Sequence, residues 1–396
     1  MRLISLTSAA FVAIALAVYW ALPSRARHGF LAATGFAYYT LAAPVAGLLT
    51  AAHIALVYAM HRRIAATRDR SHTAGPPLFI GCVVGLLPLV VFKYRAFLFA
   101  PFTGDSHAPF ASIAIPLGIS YFTFRLLHVL IDTAQGKLDR VAFFDFFYYV
   151  TFWPTLTAGP IERFERFDRQ RRELSRFDAA LFAEGLQRIV HGLAKKLVLA
   201  EAMHVTITDY LADPTVLTAG QLWYATHAYF LYLYFDFSGY SDIAIGISRL
   251  FGFRIMENFH WPIFATNLRD FWRRWHISLT GWLTEYVYIG LGGSRRGEWR
   301  TAANAMATMI LIGLWHGADD PLHFTLWGAF MGAGLVVFRQ WRRLRAPGDP
   351  AHFQPSRAGM LIGWFLTVET MCVGWPLFIF KTETAWRVLS RMFGWG

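Results

Sequence analysis

Long apolar runs alternate along the chain with short basic clusters. Residues 3–22 form an uninterrupted apolar stretch of about the ~20 residues that a helix needs to cross a bilayer. Comparable stretches cover residues 30–60, 78–99, 143–156, 179–199, 222–251, 302–314, 324–337 and 360–380. Two further segments are apolar but interrupted: 110–131 carries Pro116 and Gly118, and 259–293 is aromatic yet holds Arg269, Asp270, Arg273, Arg274, His276 and Glu285. Irregular backbone at membrane depth survives only where protein or a water-filled cavity satisfies its polar groups. These two segments are therefore expected to be re-entrant or interfacial pieces lining a tunnel. The pattern predicts an all-α polytopic membrane protein with roughly nine to eleven transmembrane helices, built as one membrane-embedded domain over residues 1–396. No internal repeat or low-complexity linker interrupts it. Arg2 before the first run, and Ser24-Arg25-Ala26 after it, loosely resemble a signal peptide. The length of the apolar core and the many later spans favour a retained first helix.

Composition supports the membrane reading and excludes others. Hydrophobic residues make up 56% of the chain. Charged residues make up 16%, where about 25% is usual. That balance rules out a soluble globular enzyme, a disordered tail and a disulfide-stapled secreted module. The net charge of +12 comes from separate clusters: Arg62, Arg63, Arg68 and Arg70; Arg169, Arg171 and Arg172; Arg339, Arg342, Arg343 and Arg345. They form no single stripe among aromatics, which argues against a nucleic-acid partner and for loops beside membrane helices. The excess at Arg62–Arg70 points to the cytoplasm, although Arg25 and Arg27 on the opposite side oppose it. Cys82 and Cys372 lie in apolar segments far apart in the chain and read as packing residues.

Ionisable residues inside membrane segments are costly, so each is a functional candidate. Asp236 and Asp242 sit within Tyr234-Phe-Asp-Phe-Ser-Gly-Tyr-Ser-Asp242. They read as structural polar residues, a hydrogen-bonded pair around a helix break at Ser238-Gly239, or as a proton or cation path. Trp272, Trp275, Leu279, Trp282, Leu283 and Tyr286 recur at three- and four-residue steps, which predicts one face of a helix. Asp270 stands three and four residues before Arg273 and Arg274, suited to local pairing. The plain alternative is an amphipathic helix at the interface, with its arginines among lipid headgroups. That alternative explains His276 less well. His316 ends an apolar run and precedes Gly317; neutral imidazole, with a reference pKa of about 6.5, suits proton abstraction from a hydroxyl. A metal site from His316, Asp319, Asp320 and His323 matches no strong zinc spacing, so no metal is expected. No GxSxG elbow, P-loop or CxxC is present.

Six motifs stand in order: Ile115-Pro-Leu-Gly-Ile-Ser-Tyr-Phe-Thr-Phe124, Ala158-Gly-Pro-Ile161, Asp236-Phe-Ser-Gly-Tyr-Ser-Asp242, Asn258-Phe259, Phe271-Trp-Arg-Arg-Trp-His276 and Leu314-Trp-His-Gly317. Together they resemble the bacterial branch of the membrane-bound O-acyltransferase family, most strongly over residues 115–335. The stretch from Trp282 to Arg296 is similar to alginate-type polysaccharide O-acetyltransferases. Pro154–Phe167 is more like the D-alanyl transfer protein of teichoic acid modification. The resemblance implies that His316 is the active-site histidine and His276 the second polar position. It implies a bacterial cytoplasmic (inner) membrane location, with a cytosolic thioester donor and an acceptor on the far side. Substrate-contacting roles are expected for Arg273, Arg274, Trp315, Asn258 and Tyr286, with Asp270 structural. The two arginines suit donor phosphates or lipid headgroups.

What the resemblance implies is acyl transfer, most simply of acetyl, to hydroxyls of an extracytoplasmic polysaccharide or to an intermediate partner protein. D-alanyl transfer from a carrier protein is the alternative. The donor would be acetyl-CoA or an acylated phosphopantetheine carrier, used as a substrate, with no bound cofactor. Membrane lipid, a glycopolymer and a periplasmic acyltransferase subunit are the implied partners. A transporter is the reading from another class, but no paired halves with matching broken helices are visible.

Overall fold

The computed structural model of the protein describes residues 5–71, 74–95, 97–99, 115–116, 118–174, 176–317, 321–346 and 355–395. Part of the 110–131 segment, together with Asp319 and Asp320, lies outside them. No β-strand occurs among the described residues. The chain divides into two compact units, residues 1–191 with 240–256, and residues 192–239 with 257–396.

The first unit holds α1 (Leu6–Ala21), α2 (Ser24–Ala42), α3 (Pro44–Ser71), α4 (Gly75–Lys93), α5 (Ile119–Ala134), α6 (Phe143–Thr151), α7 (Phe164–Glu173) and most of α8 (Ala179–Ala194). The apolar run 30–60, expected as one span, is two helices. Pro44 disfavours helical backbone at Ala43 and is itself well placed as the first residue of α3. The run 143–156 is not a full span either: α6 has 9 residues and gives way to a 3₁₀ turn, Trp153–Thr155, around Pro154. Most of its rings are core, with Phe146, Tyr148, Tyr149 and Trp153 buried, while Phe143 and Phe144 at its start are exposed. Helix α1 is tied in by hydrogen bonds from Tyr19 Oη to Phe251 O (3.1 Å) and from Trp20 Nε1 to Leu250 O (2.9 Å). A charge in this core goes unnoticed in the hydropathy pattern. Arg125 of α5, 1% exposed, donates to Tyr149 O (3.1 Å), Thr155 O (3.2 Å) and Thr155 Oγ1 (2.5 Å).

Helix α9 (Ala219–Leu250) contributes residues to both units. It runs unbroken through Ser238-Gly239, where the acidic motif suggested a break. The two aspartates are not a pair. Within the second unit Asp236 is bound by Lys196, and within the first Asp242 accepts from Arg188 Nε at 2.7 Å. Each acid is answered by a base from the preceding helical stretch, which removes the reason for a break. Gly239 permits the close approach, since a Cβ there would lie 2.8 Å from Gly192 O.

The second unit continues with α10 (Leu268–Arg274), α11 (Ile277–Leu283), α12 (Glu298–His316), α13 (Pro321–Arg345), α14 (Arg357–Ile379) and α15 (Thr382–Met392). Helices α12 and α13 meet backbone to backbone, because Gly313 leaves no room for a side chain against Phe324 O, 2.1 Å from where its Cβ would stand. Four helices, Pro44–Arg70, Gly75–Lys93, Leu322–Arg345 and Arg357–Ile379, are long and apolar enough to cross a membrane. They present bare apolar side chains, such as Phe79 at 71% and Leu361 at 68% exposure, which only lipid would cover. The protein is an all-α polytopic membrane protein. Cys82 and Cys372 are both free thiols within helices.

The Gly239 contact yields a direct test. Gly239→Leu should destabilise the protein by about 1–3 kcal/mol, seen as a lower melting temperature in detergent. Gly281→Ala, whose Cβ meets nothing within 4 Å, should be neutral or stabilising. Equal effects would contradict the packing described.

Candidate active site

The Trp272–Tyr286 periodicity, which predicts one helix face, belongs to two short helices and a π-helical turn. Helix α10 ends at Arg274, Trp275 is extended (φ −103°, ψ 127°), His276 is left-handed (φ 46°, ψ 51°), and α11 begins at Ile277. Left-handed backbone costs a residue with a Cβ roughly 1–2 kcal/mol and persists only where its surroundings over-determine it. Asn258 supplies most of that hold. Its backbone oxygen accepts from Ile277 N (2.9 Å). Its side-chain Oδ1 accepts from Ser278 Oγ (2.8 Å), Ser278 N (3.3 Å) and His276 Nδ1 (3.2 Å). His260 N, donating to Arg274 O at 2.9 Å, closes the other side of the loop.

This arrangement fixes the imidazole's chemistry. A backbone N–H on Oδ1 identifies that atom as the oxygen, so the nitrogen bonded to it, Nδ1, carries the proton. Nε2 is then the accepting nitrogen of neutral His276.

His316 arrives from a different element, the C-terminal residue of α12, where Gly317 N closes the helix onto Gly313 O at 3.1 Å. His276 and His316 line one small cavity of about 70 Å³ together with Phe237, Ile312, Trp327 and Phe378. The Trp315 ring lies 6.4 Å from the His276 ring and 4.5 Å from that of His316. His316 also packs on Phe378 (5.0 Å) and Trp327 (5.8 Å). His276 is buried, whereas His316 retains partial exposure.

Three residues of this cavity, Trp272, Thr280 and Ile312, also line a larger one of about 550 Å³. That cavity is basic at its rim, with Arg269, Arg273, Arg339 and Arg342. Burial, followed by the neighbouring charges of Arg273, Arg342 and Arg339, holds the Arg269 pKa below the ordinary guanidinium value. Glu298 offsets part of this charge by pairing with Arg339 (2.9 Å) and Arg343 (2.7 Å). The geometry joins an anion-attracting vestibule to a narrow, mostly apolar chamber with two imidazoles.

The residues singled out from sequence fall in different places. Arg273 lines the basic cavity, while Arg274 is occupied by Asp270 (2.9 Å), the local pairing expected. Asn258 is fully buried and holds the histidine loop. Tyr286 lies in the π-helical turn Thr284–Tyr288, packed on Trp282 at 4.8 Å. Asp236 and Asp242 are held in their separate ion pairs. His323 is buried beside Phe324, at a ring distance of 4.0 Å. Arg269, Trp272 and Thr280 were not assigned a site role from sequence, because the signal for a shared cavity is spatial.

His128, Asp132 and Glu165 form a compact trio whose ligand-type atoms lie within 4.8 Å. His128 Nδ1 meets Asp132 Oδ2 at 2.9 Å and its Nε2 accepts from Phe164 N at 2.9 Å. With both ring nitrogens engaged, the trio reads as a structural network.

Removing the Asn258 side chain should cost about 2–3 kcal/mol and Ser278→Ala about 1 kcal/mol. Both are read as melting shifts in detergent. An Asn258→Ala protein as stable as the parent would show that the loop is held by something else.

Comparison with known proteins places the whole chain. Residues 53–380 match the model of the membrane-bound O-acyltransferase family. A probable alginate O-acetylase from Azotobacter vinelandii is 36% identical, over 98% of this chain and 76% of the relative. A peptidoglycan O-acetyltransferase from Helicobacter pylori is 34% identical, over 80% of this chain and 64% of that protein. A teichoic acid D-alanyltransferase from Bacillus subtilis is 29% identical, over 76% and 77%. A family match across most of the chain, with relatives more than 30% identical over nearly its whole length, makes this protein a member of the membrane-bound O-acyltransferase family and an acyltransferase.

Proposed function

We propose that this protein carries a short acyl group, acetyl, from a cytosolic thioester through the bacterial cytoplasmic membrane to hydroxyls of an extracytoplasmic polysaccharide, directly or by way of a periplasmic acyltransferase subunit. The observation that carries the reading is that the two cavities share a border: Trp272, Thr280 and Ile312 line both the one with four arginines and the one with two histidines. An anionic donor, acetyl-CoA or an acylated phosphopantetheine carrier, meets the arginines while its thioester reaches the chamber. The charged end then never enters hydrocarbon. The names of the relatives, an alginate O-acetylase, a peptidoglycan O-acetyltransferase and a teichoic acid D-alanyltransferase, support an envelope polymer as acceptor.

In the proposed reaction His316 takes the proton of the acceptor hydroxyl as its oxygen attacks the thioester carbonyl. The tetrahedral intermediate collapses with departure of the thiolate, which recovers that proton. His276, protonated at Nδ1, presents an accepting Nε2 and orients the hydroxyl; it is not the donor to the oxyanion. Acetyl is favoured over D-alanyl by the chamber itself. It is small, about 70 Å³. None of the described residues lining it is acidic, so a D-alanyl ammonium would be desolvated without a counter-charge, at a cost of several kcal/mol.

His316→Ala in proteoliposomes should lower acetyl transfer by about 10²–10⁴-fold, with insertion and melting temperature unchanged. A folded His316→Ala protein with near-parental activity would remove this residue from the mechanism. Mass spectrometry of envelope polysaccharide with and without the protein should show loss of acetyl esters; loss of alanyl esters instead would reverse the choice of acyl group.

A further inference from the structure

A second basic cavity, of about 850 Å³, lies within the same unit but on another face of α10. It shares Arg269, Arg273, Phe338 and Arg342 with the vestibule, but not Trp272, Thr280, Ile312 or either active-site histidine. At one end it gathers four arginines, Arg269, Arg273, Arg342 and Arg345. None of the four forms an ion pair among the described residues, and the lining carboxylate, Asp270, is taken by Arg274 at 2.9 Å. Four clustered cations with their nearest acid already spent constitute a site for an anion.

The other end of the cavity decides what kind of anion. Its walls are Val337, Ile362 and Leu366, exposed by 66%, 60% and 57%, on α13 and α14, two of the helices able to cross the membrane. Arg342 and Arg345 stand in the last turn of α13, which ends at Arg345, while Arg269 and Arg273 come from α10. Trp341, 41% exposed, sits between the basic and apolar parts, the usual position of an interfacial aromatic. A groove with a cationic head and a lipid-facing apolar tail fits an amphiphile with an anionic headgroup. A nucleotide would leave the apolar half uncovered. Basic pockets between transmembrane helices at headgroup depth are a known way of holding anionic lipids.

We propose that this groove is a binding site for an anionic phospholipid, with the phosphate group on Arg342 and Arg345 and an acyl chain along Val337, Ile362 and Leu366. The groove shares Arg269, Arg273 and Arg342 with the vestibule, whereas Arg345 and Leu366 line neither the vestibule nor the histidine chamber, and substitutions there separate this proposal from the acyl-transfer reading.

The test is native mass spectrometry of the full-length protein released from nanodiscs holding equal amounts of phosphatidylglycerol and phosphatidylcholine with identical chains. The parent should retain phosphatidylglycerol over phosphatidylcholine by at least about fivefold. Arg345→Gln should cut that preference about fivefold, while Leu366→Trp, which fills the groove, should lower retention of both lipids. Equal retention of the two lipids by the parent overturns the proposal. So does a preference that survives both substitutions, since the lipid then sits elsewhere. Competitive displacement of the lipid by acetyl-CoA, with acetyl-CoA binding weakened to the same extent by Arg345→Gln, would assign the groove to the donor and likewise overturn it.

Discussion

Every polar group taken to membrane depth must find its partner inside the protein, and that constraint organises this molecule. Asp236 is met by Lys196, Asp242 by Arg188, and Arg125 by a set of backbone and threonine oxygens. These groups are spent on structure: removing Arg188 would leave the Asp242 carboxylate buried and short of its counter-charge, and removing the backbone partners of Arg125 would leave its guanidinium buried and short of acceptors. Their neutralisation lets long helices carry charge without opening the fold. The chemistry is assigned to imidazole, a side chain that can enter such an interior neutral and still move a proton.

The Asn258 clamp shows how a strained backbone position is held and its side chain oriented. Holding His276 at positive φ interrupts what would otherwise be a continuous amphipathic helix and turns the ring into the chamber. The same carboxamide that stabilises the bend also selects which ring nitrogen is protonated. One side chain thereby sets position and tautomer together and leaves Nε2 of the second histidine as a hydrogen-bond acceptor, the property the proposed reaction uses to orient the hydroxyl. His316 reaches the chamber on the end of α12, held against α13 by the close approach at Gly313. The two histidines thus come from elements supported independently.

Much of this was legible in the chain itself. The apolar runs gave the helical membrane class, the ordered motifs gave the family, and the interrupted segment at 259–293 contributes His276 and part of the lining of the histidine chamber. What escaped sequence reasoning has physical causes. A three- and four-residue periodicity cannot register a single left-handed residue, so the bend at His276 was invisible. The acidic motif around Gly239 was read as a break because its bases, Arg188 and Lys196, lie on another stretch of chain and their pairing is a tertiary fact. Pro44 split one apolar run into two helices, a local rule that hydropathy smoothing conceals. Of the two arginines beside His276, Arg273 lines the vestibule while Arg274 is paired with Asp270, a distinction that depends on which way each faces from a short helix.

The central claim is that an aqueous path from the arginine-lined vestibule reaches the histidine chamber past Thr280. Labelling of a Thr280→Cys protein with a membrane-impermeant maleimide in sealed vesicles of both orientations tests it most directly. The account predicts labelling from the face that carries Arg269 and Arg339, suppressed when the acyl donor is bound. A cysteine there that stays unlabelled from both faces, in a protein that still transfers acyl groups, would contradict it.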